Sequence, residues 1–274
     1  MAEEMRTNVS RRMPLVFLPH GGGPWPFVEI GIGSQAEQAE LASYLRSVAE
    51  LPKTPPQAVL VISAHWEEPV PTVMSSAHPP MLYDYYGFPP ASYEITWPAP
   101  GHPALAARVR SLLAKAGIDS AENDARGFDH GSFVPLKLAY PKADIATVQL
   151  SLKRGLDPAE HLALGRALAP LRDEGVFIIG SGMTFHNLRA FGPQSAAAAE
   201  EFDAWLRATA ALDPAERDRR LMDWERAPSA RHAHPREEHL IPLMVVAGAA
   251  ENDRGKLAYN GTILELRLSA YHFG

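Results

Sequence analysis

The chain has 274 residues, a formal net charge of −6, 11 histidines and no cysteine. That length supports one large domain with a substantial core, and the acidic balance argues against nucleic acid as a partner. The lack of thiols excludes disulfides, thiolate ligands and a cysteine nucleophile, so a metal ion has to be held by histidine and carboxylate.

No apolar stretch is long enough to span a bilayer, so no membrane association is expected. The polar start MAEEMRTNVSRRMP has no signal-peptide apolar region, and the expected location is cytoplasmic. Residues 1–13 are expected to be a flexible lead-in, and 14–274 a single domain.

A strand is expected at 14–19, followed by the glycine- and proline-rich HGGGPWPF. Residues 35–50 have a helical pattern. A second strand covers 57–63, and PTVMSS reads as another. Residues 78–103 form a long loop dense in proline and aromatic residues, among them Tyr85 and Trp97. ALAARVRSLLAKAG is a helix stopped by Gly117. Residues 126–139 are a loop entering a short helix, and ADIATVQLSL is a strand. Asp157 and Pro158 cap and open the next helix, and a strand follows at 176–180. Residues 195–225 are helical with a break near Asp213–Pro214. A further helix lies within 234–250, and TILELRLSAY is the final strand. Strands alternating with helices give an α/β class, a mostly parallel or mixed sheet with helices on both faces.

The apolar runs MPLVFLPH, QAVLVISAH and VFIIGSGMTFH end at His20, His65 and His186. In open α/β sheets, ligands bind beyond the carboxyl ends of the strands. Imidazoles delivered there by several strands suggest a shared metal ion and therefore an enzyme. His130 lies in the glycine-bearing DHG. HGGG also occurs in the oxyanion loop of esterases, but no Gly-x-Ser-x-Gly elbow accompanies it.

The densest cluster is RHAHPREEH. Pro235 favours the first turn of a helix, which makes His234 a boundary residue. His234 and His239 would then stand about 140° apart around the helix, too far round to chelate one ion from a regular face. Pro242, if interior, would kink that helix. No His-Glu-x-x-His is present, which argues against a zincin. The loop 78–103 is expected to cover a planar aromatic substrate.

HGGGP at 20–24, SAHWE at 63–67, YDYYGFPPASYEITWPAPG at 83–101, DHGSFVPL at 129–136, GSGMTFHNL at 180–188 and HPREEHLIPL at 234–243 occur in this order. Together they resemble the class III extradiol ring-cleaving dioxygenases. The likeness is to the DOPA dioxygenase-like branch, related to the catalytic subunit of protocatechuate 4,5-dioxygenase. The resemblance implies that His20, His65 and His239 hold the metal, with Glu238 the alternative third ligand because the protocatechuate relatives use a carboxylate there. It implies His186 in acid–base chemistry with His130 assisting, and His130 and His234 lining the pocket. Tyr85 and Trp97 are the expected substrate contacts. The implied cofactor is Fe(2+), with Zn(2+) able to occupy the same nitrogens. The implied partners are a small catechol-type aromatic and O2. The implied reaction inserts both oxygen atoms into a catechol-type, DOPA-like substrate and opens the ring to a semialdehyde. A zinc-dependent hydrolase on the same scaffold and a non-catalytic metal-binding module are the competing readings.

Overall fold

The computed structural model describes residues 12–274. The expected lead-in at 1–13 therefore lies outside the described residues except for its last two. Of those, Met13 is buried, and its backbone exchanges hydrogen bonds with Arg172.

Eight strands form one sheet: β1 (Leu15–Pro19), β2 (Ala58–Glu68), β3 (Thr72–Met74), β4 (Ala121–Asn123), β5 (Thr147–Lys153), β6 (Val176–Gly182), β7 (Gly255–Ile263) and β8 (Leu266–Phe273). Their order is β4-β3-β5-β2-β6-β1-β8-β7. The central β5, β2, β6 and β1 run parallel, whereas β8 is antiparallel to β1 and to β7. β1 and β6 are buried along their whole length, which explains their unbroken apolar runs.

The helices are α1 (Gln35–Ser47), α2 (Pro103–Lys115), α3 (His130–Ala139), α4 (Pro158–Leu168), α5 (Ala196–Ala210), α6 (Pro214–Met222), α7 (Ala230–Ala233) and α8 (Ile241–Ala249). Side-chain alternation along β6 shows that they cover both faces. A Cβ on Gly180 would meet the Pro242 carbonyl in α8, and one on Gly182 would meet the carbonyl just before that helix. Ser181, pointing the other way, donates to the Gly131 carbonyl of α3 at 2.5 Å. So α8 packs on one face and α3 on the other, as the α/β reading expects. Among the described residues no helix is long and apolar enough to cross a membrane.

Three local expectations are corrected. TILELRLSAY is not one strand. It holds the end of β7, a turn at Leu264–Glu265 and most of β8. Both turn residues have positive φ, 51° and 66°, the conformation of a tight hairpin. The helix within 234–250 begins only at Ile241, so Pro242 sits in its first turn and causes no kink. His234 ends α7 instead of opening a helix with His239. The third correction concerns β2, which runs on to Glu68. Its register with β5 slips between Ile62 and Glu67, and His65 rides on that bulge. Bulges of this kind re-aim side chains beside active sites.

Candidate metal centre and its pocket

The carboxyl ends of β1, β6 and β2 lie side by side and bring the histidines together. His20 follows β1 directly, and its backbone N–H still pairs with the Gly182 carbonyl at 3.2 Å. His65 comes from the β2 bulge. His239 comes from the turn before α8, where its carbonyl accepts from the Met183 N–H at 2.9 Å. A Cβ on Gly182 would stand 2.1 Å from that same carbonyl oxygen, so glycine is what allows the turn to close on β6.

Nε2 of His65 is 3.2 Å from Nε2 of His20 and 3.2 Å from Nε2 of His239. The opposite nitrogens meet carboxylates. Nδ1 of His239 donates to Glu238 Oε1 at 2.9 Å, and Nδ1 of His65 is 3.3 Å from Asp84 Oδ2. A carboxylate only accepts, so His239 carries its proton on Nδ1 and presents a bare Nε2 lone pair, and the nearby Asp84 carboxylate favours the same tautomer for His65. Burial, reinforced by the neighbouring imidazoles, holds the pKa of His20, His65 and His239 well below the ordinary value. Two neutral lone pairs 3.2 Å apart repel unless a cation lies between them. Nitrogens each about 2.1 Å from one ion, at roughly 90–110° from each other, stand about 3.0–3.4 Å apart. Both pairs that His65 makes, with His20 and with His239, have the spacing of two ligands on one ion, and the His20 and His239 rings lie 5.2 Å apart, centre to centre.

Two more histidines flank this triad. Asp129 caps α3 by accepting from the Ser132 N–H at 3.1 Å, and His130 is the first residue of the helix. His130 donates through Nδ1 to Asp84 Oδ1 at 2.8 Å and through its backbone N–H to the same oxygen at 2.9 Å. Its ring lies 3.9 Å from that of His65, centre to centre. The His186 N–H anchors on the Ala233 carbonyl at 2.9 Å, and its Nδ1 lies 3.1 Å from Glu238 Oε1. Asp84 therefore joins His65 to His130, and Glu238 joins His239 to His186. The same proximity makes His20, His65 and His130 one potential donor group, and His186, Glu238 and His239 another.

Burial raises the pKa of Asp84 and Glu238, but hydrogen bonds from His130 and His186 outweigh it and leave both below the ordinary carboxylate value. Deeper in, Asp129 accepts from Ser63 Oγ at 2.8 Å, from Arg126 at 2.7 Å, and from Gln149. It braces α3 against β2 and β5.

A cavity of about 390 Å³ opens on these histidines, within the usual range for small-molecule sites. His20, His65, His130, His186 and His239 all line it. From the 78–103 loop, Tyr85 and Phe88 line it, with the Tyr85 hydroxyl tied to the Ser92 carbonyl at 2.5 Å.

Two expected pocket residues lie elsewhere. Trp97 is buried beneath the loop, donating to the Tyr140 carbonyl at 2.8 Å and packing on Phe128. His234 is buried against Phe202 and Trp224 and bonds the Thr184 carbonyl at 3.0 Å. Neither lines the cavity. Sequence reasoning did not single out Asp84. A carboxylate in an aromatic loop has no spacing signal that ties it to His65 or His130.

The model of the family described as the catalytic LigB subunit of aromatic ring-opening dioxygenase matches residues 14–271. The chain belongs to the LigB family of class III extradiol dioxygenases. Similar proteins include a 4,5-DOPA dioxygenase extradiol of Beta vulgaris, 45% identical over 75% of this chain and 78% of its own length. A 4,5-DOPA dioxygenase extradiol of Escherichia coli K12 is 37% identical, over 88% of this chain and 86% of its own. The dioxygenase tasH of Hapsidospora irregularis is 35% identical over 95% and 85%. Among solved structures, an uncharacterized protein of Escherichia coli K12 superposes with a TM-score of 0.75 at 31% identity, covering 96% of this chain and all of its own. This LigB chain is thus a member of a metal-dependent dioxygenase family and carries a histidine site able to hold the metal.

Proposed function

We propose that this LigB-family chain is an iron(II)-dependent extradiol dioxygenase that opens a catechol ring to a semialdehyde acid. The observation that carries this reading is the convergence of His20, His65 and His239 through Nε2, with His130 and His186 beside them in a largely apolar cavity. Those three nitrogens would hold iron(II), which when bound supplies a redox-capable centre with open positions for catechol oxygens and dioxygen, whereas zinc on the same nitrogens supplies no redox step.

The chain's own residues handle protons and water. With Nδ1–H directed at Glu238, His186 presents Nε2 as a base for a catechol hydroxyl. With Nδ1–H directed at Asp84, His130 likewise turns Nε2 to the substrate, where its protonated form can donate to an oxygen gaining charge. Phe88, Phe191 and Met183 in the wall keep bulk water from the reacting ring. One ring C–C bond breaks, and the two dioxygen atoms finish in the acid and aldehyde groups.

The test is oxygen uptake by protein loaded anaerobically with iron(II), run against a catechol panel with absorbance of the ring-opened product as second readout. One dioxygen consumed per product supports the reading. Hydrolytic turnover by the zinc form without oxygen uptake would overturn it.

A further inference from the structure

We propose that the substrate of this site is a catechol bearing an uncharged, apolar substituent, and not one bearing an ionised side chain. This rests on the dioxygenase reading and adds the nature of the substituent. Much of the cavity wall comes from elements that supply none of its histidines. Ile30 and Ile32 precede α1, Leu41 belongs to α1, and Ile263 and Leu268 belong to the β7–β8 hairpin. Leu188 adds an apolar side chain that is 73% exposed.

Among the described residues, no lysine, arginine, aspartate or glutamate lines the cavity. Apart from the histidines, its polar side chains are those of Gln38, Tyr85 and Trp25, none of them charged, and two of these are already engaged. Gln38 Nε2 donates to the Ile32 carbonyl at 2.7 Å, and the Tyr85 hydroxyl donates to the Ser92 carbonyl at 2.5 Å. An ammonium or carboxylate held against this wall gives up hydration and meets no charged side chain of lysine, arginine, aspartate or glutamate in it. An alkyl or aryl substituent gains from the same wall by leaving water.

A matched pair isolates the charge. 4-Propylcatechol and dopamine have substituents of the same length, ending in a methyl and an ammonium group. 3-(3,4-Dihydroxyphenyl)propionate supplies a negative end and DOPA both charges. Each is assayed by oxygen uptake with the iron-loaded protein and by anaerobic calorimetric binding. The expected result is a kcat/KM for 4-propylcatechol about 10²-fold or more above that for dopamine or DOPA, with dissociation constants in the same order. Ile32→Asp, at a partly exposed position, should narrow the propylcatechol-to-dopamine ratio by roughly tenfold. Equal or better turnover of dopamine or DOPA overturns this proposal and leaves ring opening intact. An unchanged ratio in Ile32→Asp overturns the assignment of this wall to the substituent. No oxygen uptake with any of these catechols overturns the dioxygenase reading and this proposal with it.

Discussion

His186 and His239 lie face to face, their ring centres 3.3 Å apart, and both aim Nδ1 at the same oxygen of Glu238. One carboxylate thus sets the tautomer of a proposed metal ligand and of a proposed base. Groups that fix a ligand histidine in this way commonly contribute 10–100-fold to metal affinity. Glu238→Ala should therefore weaken iron or zinc binding by about that factor and lower kcat. Glu238→Gln should recover part of the affinity through its carbonyl. Competition with a chromophoric chelator measures both. If Glu238→Ala removed the metal entirely while His239→Ala kept it, Glu238 would be the third ligand itself.

His186→Ala removes the ring that lines the cavity but leaves the triad of Nε2 atoms untouched. The variant should keep its metal and lose about 10²–10⁴-fold in kcat, with a smaller loss for a nitrocatechol that ionises unaided. Metal content by emission spectroscopy and oxygen uptake together decide it. A variant that loses its metal in proportion, or turns over at the parent rate, would place His186 in another role.

His20, His65 and His186 are legible in the sequence because each follows a Val-, Ile- and Phe-rich run that ends at the carboxyl edge of a sheet. What was not legible depends on contacts between distant segments. β4 is the short polar Ala121–Asn123, with no apolar signal of its own. The β7–β8 turn uses Leu264 and Glu265, and the Asn260-Gly261 pair that would advertise a turn lies inside β7. Trp97 and His234 have suitable chemistry for a pocket, but their burial is decided by Phe128 and Tyr140 for one and by Phe202 and Trp224 for the other. The placing of Asp84 between two imidazoles arises only when the loop folds over α3.

Gly182 should be intolerant of a side chain. A Cβ there meets the His239 carbonyl oxygen at 2.1 Å, a backbone atom that cannot swing aside as a side chain would. Gly182→Ala must push the His239 turn away from β6. It should cost about 1–3 kcal/mol in urea unfolding and also weaken metal binding. Gly180→Ala, whose Cβ meets the Pro242 carbonyl and the Val246 side chain, should cost stability with little effect on metal affinity. Parent-like metal binding in Gly182→Ala would show that His239 does not depend on this approach.

His234 should make the fold acid-sensitive. Its Nε2–H donates to the Thr184 carbonyl at 3.0 Å. Burial, and then the neighbouring His186, depress its pKa to about 3. In the unfolded chain the same ring titrates near the ordinary value of about 6.5. Above that pH both states hold a neutral ring, and the contribution of the buried ring is complete. As pH falls below it, the unfolded state binds a proton that the native state refuses, so stability declines until the native ring also protonates near pH 3. One proton of difference is about 1.4 kcal/mol per pH unit. His234→Gln can keep an N–H for Thr184 but does not titrate. It should therefore flatten the dependence of unfolding free energy on pH between about 6 and 4 by close to that slope, whatever its stability at neutral pH. The metal-site histidines titrate alike in both proteins and cancel in the comparison. Parallel stability curves for parent and variant across this range would mean that His234 is not the buried neutral group whose titration is felt.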